Sequence, residues 1–266
     1  MGEKTYMDIY SETFGETYRK LLKATFTAGN CVETRLGEAK ELLGIHLKVD
    51  NPLANILDCP ARKLNYRLML AEWLWYMEGR SDLAFLQPYT SQMDQFSDDG
   101  RVVAGAYGPT IYDQLPYVIN LLRQNPNSRQ AVIGLWKWLG ANPEPTKVRP
   151  CSLSMQYLVR EGALVTFITM RSSDTVLGLP YDFFSLSMIS NYIAGRTSFR
   201  PGPIHLMIAS SHVYNYFYDW AHRIANDSIN TIRTPGFWPT LNYYGLLAEC
   251  GNSKEMRQRL VELSQY

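Results

Sequence analysis

The sequence predicts an α+β fold, on three observations. Apolar residues recur at helical spacing in several stretches of 14 to 20 positions. Strict apolar–polar alternation covers 153–171 around a central Glu161-Gly162 pair. The strand-like segments cluster, and the helical ones flank them.

Taken in order, residues 8–27 read as a helix, with Tyr10, Phe14, Tyr18, Leu21 and Leu22 on one face. Residues 33–49 fit a bent strand pair. Residues 62–79 read as a helix through Leu64, Leu68, Ala71, Leu74 and Trp75, with Gly79 as its stop. The spacing returns at 110–124 through Ile111, Leu115, Val118 and Leu122. AVIGLWKW at 131–138 is a short apolar run suited to a buried strand. Residues 153–160 and 163–171 form a hairpin with Gly162 in the turn. Residues 181–194 are helical through Phe184, Met188, Ile189, Tyr192 and Ile193, and Gly195 is the expected C-cap. A strand at 204–210 and a helix near 212–227 follow. No repeat and no Pro/Gly/Ser-rich linker divides the chain, so residues 1–266 read as one domain.

With 46% apolar residues over 266 positions, the chain can bury a sizeable core. Eighteen tyrosines suit apolar walls that still hydrogen-bond, as in a pocket or a subunit interface. The net charge of +1, with Lys and Arg scattered, argues against a nucleic-acid partner. The first eighteen residues are polar and acidic, unlike a signal peptide, and no apolar run approaches the ~20 residues of a membrane span. The expected location is therefore cytoplasmic, without membrane contact. Cys31, Cys59, Cys151 and Cys250 are widely spaced, with no CxxC pair, so no metal site is expected. They are expected as free thiols in a reducing compartment.

Cys151 lies in KVRPCSLSMQ, at the entry to a strand. Nucleophilic attack needs the thiolate, and Arg149, two residues away, is expected to favour it. From the local sequence alone, the alternative is a buried small hydrophobe.

The segment from Arg149 to Ala194 resembles the active-site core of the thymidylate synthase family. The matching residues are Pro150-Cys151, Gln156, Arg171-Ser172-Ser173-Asp174, Leu177-Gly178-Leu179-Pro180 and Asp182. Farther out, AEWLWYMEGRSDLAFL (71–86), NPNSRQAVIGLW (125–136), SSHVYNYF (210–217) and TRLGE (34–38) are similar to other family segments. The resemblance implies a mixed β-sheet flanked by helices. It implies one-carbon transfer from 5,10-methylenetetrahydrofolate to carbon 5 of a pyrimidine nucleoside monophosphate. Cys151 would add to carbon 6 and make carbon 5 nucleophilic, while Glu72 would organise water and move protons. Arg35, Arg129 and Arg171 would hold the phosphate through their forked donors. Arg129 would come from the partner subunit of a homodimer. Gln130 replaces the family's second arginine there, which removes one charge from that clamp. His212 and Tyr214 would contact the sugar, and Ser172 and Gln156 belong to the same nucleotide-binding set. Asp174 would bond ring-side groups through its backbone or water. Folate would lie near Trp75, Tyr107, Asp174 and Gly178.

Three departures shape the expected chemistry. Asp182 stands where thymidylate synthases have Asn. An amide complements uracil, whose N3 donates and whose O4 accepts. A carboxyl accepts from the 4-amino group of cytosine and, when protonated, donates to N3. A proton there stabilises charge developing on thiolate addition. Asp at this position resembles the hydroxymethylases of the family. Ser152 follows the nucleophile where His is usual, and Tyr107-Gly108 is not followed by the family's Gln-Trp-Arg. The segment VELSQY also lacks the family's apolar closing tail. These features suit admission of water, hence a 5-hydroxymethyl product. The expectation is a (deoxy)cytidylate 5-hydroxymethyltransferase, with dCMP favoured over CMP. The alternatives are a (d)CMP methyltransferase, a thymidylate synthase acting on dUMP, and a non-catalytic nucleotide- or RNA-binding protein on the same fold.

Overall fold

The computed structural model describes residues 7–137, 145–235 and 241–266. Its centre is a mixed sheet with strand order β1-β3-β9-β7-β6-β5. These strands are β1 (Met7–Ser11), β3 (Gly37–Val49), β9 (Arg200–Tyr214), β7 (Ala163–Met170), β6 (Ser152–Arg160) and β5 (Val132–Gly134). β2 (Asn30–Thr34) pairs β3 off the end of this path, and β8 (Ser173–Asp174) pairs β9. β1 runs parallel to β3, and both β7 and β8 run parallel to β9; the other pairs in the sheet are antiparallel. A separate ribbon joins β4 (Ile56–Asp58) to β10 (Asn230–Ile232).

Alternation along the strands decides which face is covered. Leu164, Ile168 and Met170 of β7 and Ile204, Leu206 and Ile208 of β9 point into the core. Val165, Phe167 and Thr169 alternate with them on the opposite face, beside the exposed Leu43 and Met207. The helices pack on the core side. They are α1 (Phe14–Ala28), α2 (Tyr66–Met77), α3 (Gly108–Gln124), α4 (Leu179–Thr197), α5 (Tyr218–Asn226), α6 (Tyr243–Glu249) and α7 (Ser253–Leu263). None of the described helices is long and apolar enough to cross a membrane.

The two central helices show why these residues form these elements. α2 starts at Asn65, whose side chain accepts from the Leu68 N–H and so satisfies one orphan donor. It ends at Gly79, whose φ of 68° suits a residue without Cβ; a Cβ there would meet Tyr112 at 2.9 Å. α4 buries most of its residues, including the polar Ser185, Ser187, Ser190 and Asn191 along with its apolar ones. That is the pattern of a helix packed all round rather than on one face.

Several boundaries differ from the sequence expectation. The helix expected at 8–27 begins at Phe14, because Thr13 caps it and Met7–Ser11 pair with β3 as a strand. Tyr10, read as a helix-face residue, is therefore an exposed strand residue. The 131–138 strand shortens to Val132–Gly134, since the N–H groups of Leu135 and Trp136 both turn to the Leu153 carbonyl; residue 138 lies outside the described residues. Gly195 sits inside α4, and the left-handed C-cap is Ser198, with φ 61°. The helix expected from 212 begins at Tyr218, because β9 runs on to pair His212 with Asp174 and Tyr214 with Ala39. The hairpin turn at Glu161-Gly162 holds as expected, with both residues at positive φ.

Candidate active site

The candidate site gathers at one end of the sheet, where β6 begins, β7 ends and α4 starts. Cys151 immediately precedes β6, and its carbonyl accepts from the Arg171 N–H just after β7. Glu72 reaches the site from the middle of α2, and Asp182 from the first turn of α4. Glu72, Cys151 and Asp182 keep a narrow contact with solvent while lying deep within protein, as groups lining a recess do.

Arg171 braces the segment before the cysteine. Its Nε donates to the Pro150 carbonyl (2.9 Å), and its Nη2 to the Arg149 carbonyl (3.1 Å). The same Nη2 lies 3.7 Å from Cys151 Sγ, and Ser172 Oγ lies 3.8 Å from it. These contacts favour a thiolate, but burial and the Asp182 carboxyl outweigh them and push the thiol up. The expectation that Arg149 would lower it is thus corrected: the facing cation is Arg171, and the net direction is upward.

The recess is rich in acids. Burial raises Glu72 to about 7, against which a donated hydrogen bond from Tyr76 Oη (3.1 Å) holds it down. Asp182 is raised well above the usual carboxylate range by burial first, then by Glu72 and Asp174. Its carboxyl makes no hydrogen bond to any described residue. Gly178 caps α4 beside it: a Cβ at Gly178 would lie 3.5 Å from Asp182 Oδ2. Asp174 Oδ1 accepts from the Val176 and Leu177 N–H groups (2.9 and 2.8 Å), yet burial still raises the group. The Tyr107 hydroxyl accepts from the Ser152 N–H (3.0 Å), next to the cysteine.

His212 pairs with Asp174 across β8 and β9, and its ring meets Tyr214 edge-on at 5.0 Å. Tyr214 lies within the influence of both Asp174 and Arg35, so this group borders the recess. Arg35 is in the exposed turn between β2 and β3, with Nη2 donating to the Lys147 carbonyl (3.3 Å).

Three expected residues lie elsewhere. Gln156 donates its amide to the Arg129 carbonyl (3.0 Å), and it sits five residues beyond Cys151. At ~3.3 Å per residue that is roughly 16 Å along β6. The fold of one chain therefore leaves the exposed Arg129 away from the recess. Trp75, expected at folate, is 1% exposed and donates its indole N–H to the Asp82 carbonyl (2.8 Å). It fills the core and offers no surface to a ligand.

Tyr76, Arg62 and Tyr181 were missed by the sequence reading. Tyr76 lies one helical turn after Glu72, so the i,i+4 relation was a usable signal. Arg62 is buried, donates to the Leu177 carbonyl (3.0 Å) and stacks over Tyr181 and Trp220. Nothing in its local sequence marked it. Among the described residues, no cluster of three or more His, Cys, Asp or Glu could hold a metal ion.

The thymidylate synthase family model matches residues 16–242, which is most of the chain and every residue of this site. The chain belongs to the thymidylate synthase family. Among curated relatives, it is 28% identical over 229 residues to the deoxyuridylate hydroxymethyltransferase of Bacillus phage SP01. That alignment covers 80% of this chain and 59% of the phage protein, so the chain spans well under two thirds of that relative. Family membership accounts for the mixed sheet. It also makes sense of a cysteine, a glutamate and a second acid converging from β6, α2 and α4.

Proposed function

We propose that the protein transfers a one-carbon unit to carbon 5 of a cytosine nucleoside monophosphate, dCMP ahead of CMP, and releases the 5-hydroxymethyl nucleotide. The observation carrying this reading is Asp182: an enclosed acid with no hydrogen-bond partner among the described residues, whose proton affinity burial raises well above the usual carboxylate range. A neutral carboxyl donates to N3 of cytosine and accepts from its 4-amino group.

Its proton also helps Cys151. The Asp182 charge is one cause of the raised thiol, so a neutral Asp182 leaves Arg171 and Ser172 to favour the thiolate. Cys151 Sγ bonds carbon 6, the carbon 5–carbon 6 π electrons shift towards N3, and Asp182 supplies the proton there. 5,10-Methylenetetrahydrofolate supplies the electrophilic carbon. Glu72, with a proton affinity near neutrality, takes the proton lost from carbon 5 as tetrahydrofolate leaves the transferred carbon, and manages the water that adds to the exocyclic methylene so formed. The sulfur then leaves carbon 6, and N3 returns its proton to Asp182. Gly178 beside Asp182 fits a ring lying over the nucleotide; Tyr107, buried with its hydroxyl on the Ser152 N–H, and Trp75 do not. Arg171, Ser172, Asp174, His212, Tyr214 and Arg35 form the nucleotide cradle in this reading.

The exposed Leu43 and Met207 and the half-buried Phe167 on the outer face of the sheet support a homodimer. A second copy would bring Arg129 to the phosphate, which one chain's fold does not do.

A second reading has its own support. A neutral acid also matches uracil, accepting from N3–H and donating to O4, and the phage relative is a deoxyuridylate hydroxymethyltransferase. One assay separates them. The protein is incubated with methylenetetrahydrofolate and dCMP, CMP or dUMP, and products are identified by mass. The expected result is 5-hydroxymethyl-dCMP with tetrahydrofolate released. Turnover of dUMP alone refutes the cytosine reading, and a methyl product with dihydrofolate refutes hydroxymethylation. Cys151→Ser is expected to abolish turnover while nucleotide binding survives; full activity in that variant refutes the nucleophile assignment.

A further inference from the structure

We propose that Tyr76 is a positioning residue for Glu72, its hydroxyl fixing one carboxylate oxygen so that the other faces the recess in an ionisable state. The geometry is direct. Glu72 and Tyr76 lie one turn apart on α2, on the same face, and Tyr76 Oη donates to Glu72 Oε1 at 3.1 Å. The tyrosine cannot wander. It is 5% exposed and held between two rings: Trp75 at 5.5 Å and Tyr107 at 5.3 Å. Tyr107 is itself pinned by the Ser152 N–H. One connected set of side chains therefore runs from Glu72 through Tyr76 and Tyr107 to the residue after Cys151.

The need for such a donor follows from the surroundings. The titratable groups facing Glu72 are Tyr76 on its own helix, and Asp182 and Tyr181 on α4; Tyr107 faces Tyr76. No cation is among the groups acting on Glu72, and burial opposes its charge. Tyr76 is the one group acting in the other direction. Its own hydroxyl is held neutral by burial and by Glu72, so it stays a donor across the working pH range. Without it, a carboxyl meant to take up and give back a proton would hold that proton more tightly.

Glu72 as the proton-moving group rests on the proposed reaction, but its titration does not. Wild type, Tyr76→Phe and Glu72→Gln are labelled with carbon-13 at the glutamate carboxyl carbons. The resonance missing in Glu72→Gln is Glu72, and its shift is followed with pH. In Tyr76→Phe the midpoint is expected to rise by about one pH unit, the size of one lost charge-assisted hydrogen bond. The limb of the kcat/KM profile that belongs to Glu72 moves with it. Site-specific 3-fluorotyrosine at position 76 preserves packing and strengthens the donor, so the midpoint is expected to fall. That variant keeps the test open if Tyr76→Phe does not fold. A midpoint unmoved in both variants, or moved in the same direction by both, overturns the proposal. A moved midpoint without turnover of any pyrimidine nucleotide leaves Tyr76 as the positioning residue and removes the proposed reaction instead.

Discussion

Replacing Asp182 with Asn tests the base-recognition argument at its narrowest point. The substitution is nearly isosteric, and the carboxyl has no hydrogen bond to a described protein group, so the fold loses no contact with it. What changes is the donor–acceptor pattern offered to the base. The amide accepts from N3–H and donates to O4 of uracil; kept in that orientation it sets C=O against N3 and N–H against the 4-amino group of cytosine, and these go unpaired. An unpaired polar group in a desolvated site costs about 1–3 kcal/mol, which is roughly 5- to 150-fold in rate. Cytosine loses that factor while uracil, matched by the amide, keeps its pairing, so the ratio of kcat/KM for dCMP over dUMP falls by at least about 5-fold. Where the pH is high enough to ionise Asp182, the variant also removes a charge that raises Cys151, so alkylation of Cys151 there is expected to speed up without any substrate. Steady-state kinetics on both nucleotides, with a thiol-alkylation time course, reads both effects. An unchanged preference for dCMP would refute the role given to Asp182. Unchanged alkylation would refute its coupling to the cysteine.

Two further outcomes follow from the same structure. Glu72 has a folded-state pKa raised to about 7, so its contribution to stability is fully present below the unfolded value and is lost as pH rises through 7. Glu72→Gln is therefore expected to be more stable than wild type at pH 8, by at most about 3 kcal/mol, and to lose that advantage at pH 4; urea melts at the two pH values check the sign. Arg257 holds the buried Asp58 through two hydrogen bonds of 2.6 and 2.7 Å, tying α7 to β4. Among the described residues, Arg257→Ala leaves that carboxylate only the Tyr66 hydroxyl and is expected to cost about 1–3 kcal/mol in urea unfolding, with little change in nucleotide affinity.

The legible parts of the fold were the ones with a single dominant period. The 153–171 hairpin and the body of α2 were readable because alternation and i,i+4 spacing are local properties of the chain. Tyr10 and the stretch from His212 to Phe217 misled for the opposite reason. Their spacing is compatible with a helix, but partners distant in sequence recruit Tyr10, and the stretch through Tyr214, into strands: β3 pairs with Met7–Ser11 on one side and with His212 and Tyr214 on the other. The Gly195 cap failed because a left-handed residue is required where the helix stops, and packing carries α4 three residues farther, to Ser198. In the site, Cys151, Glu72 and Asp182 could be picked out because their neighbours match a family pattern. Trp75 was picked from the same pattern, yet its indole serves the core.

By itself, the sequence determined the fold class, the family and the residues worth watching, since each is carried by local pattern and residue type. Only the tertiary structure decided their electrostatics. It brought three carboxyls into one recess, with no cation acting on Glu72 or Asp182, and it set burial against Arg171 at the thiol. It also gave Glu72 a tyrosine partner. Proton affinity depends on desolvation and on charges a few ångströms away, and neither is written along the chain.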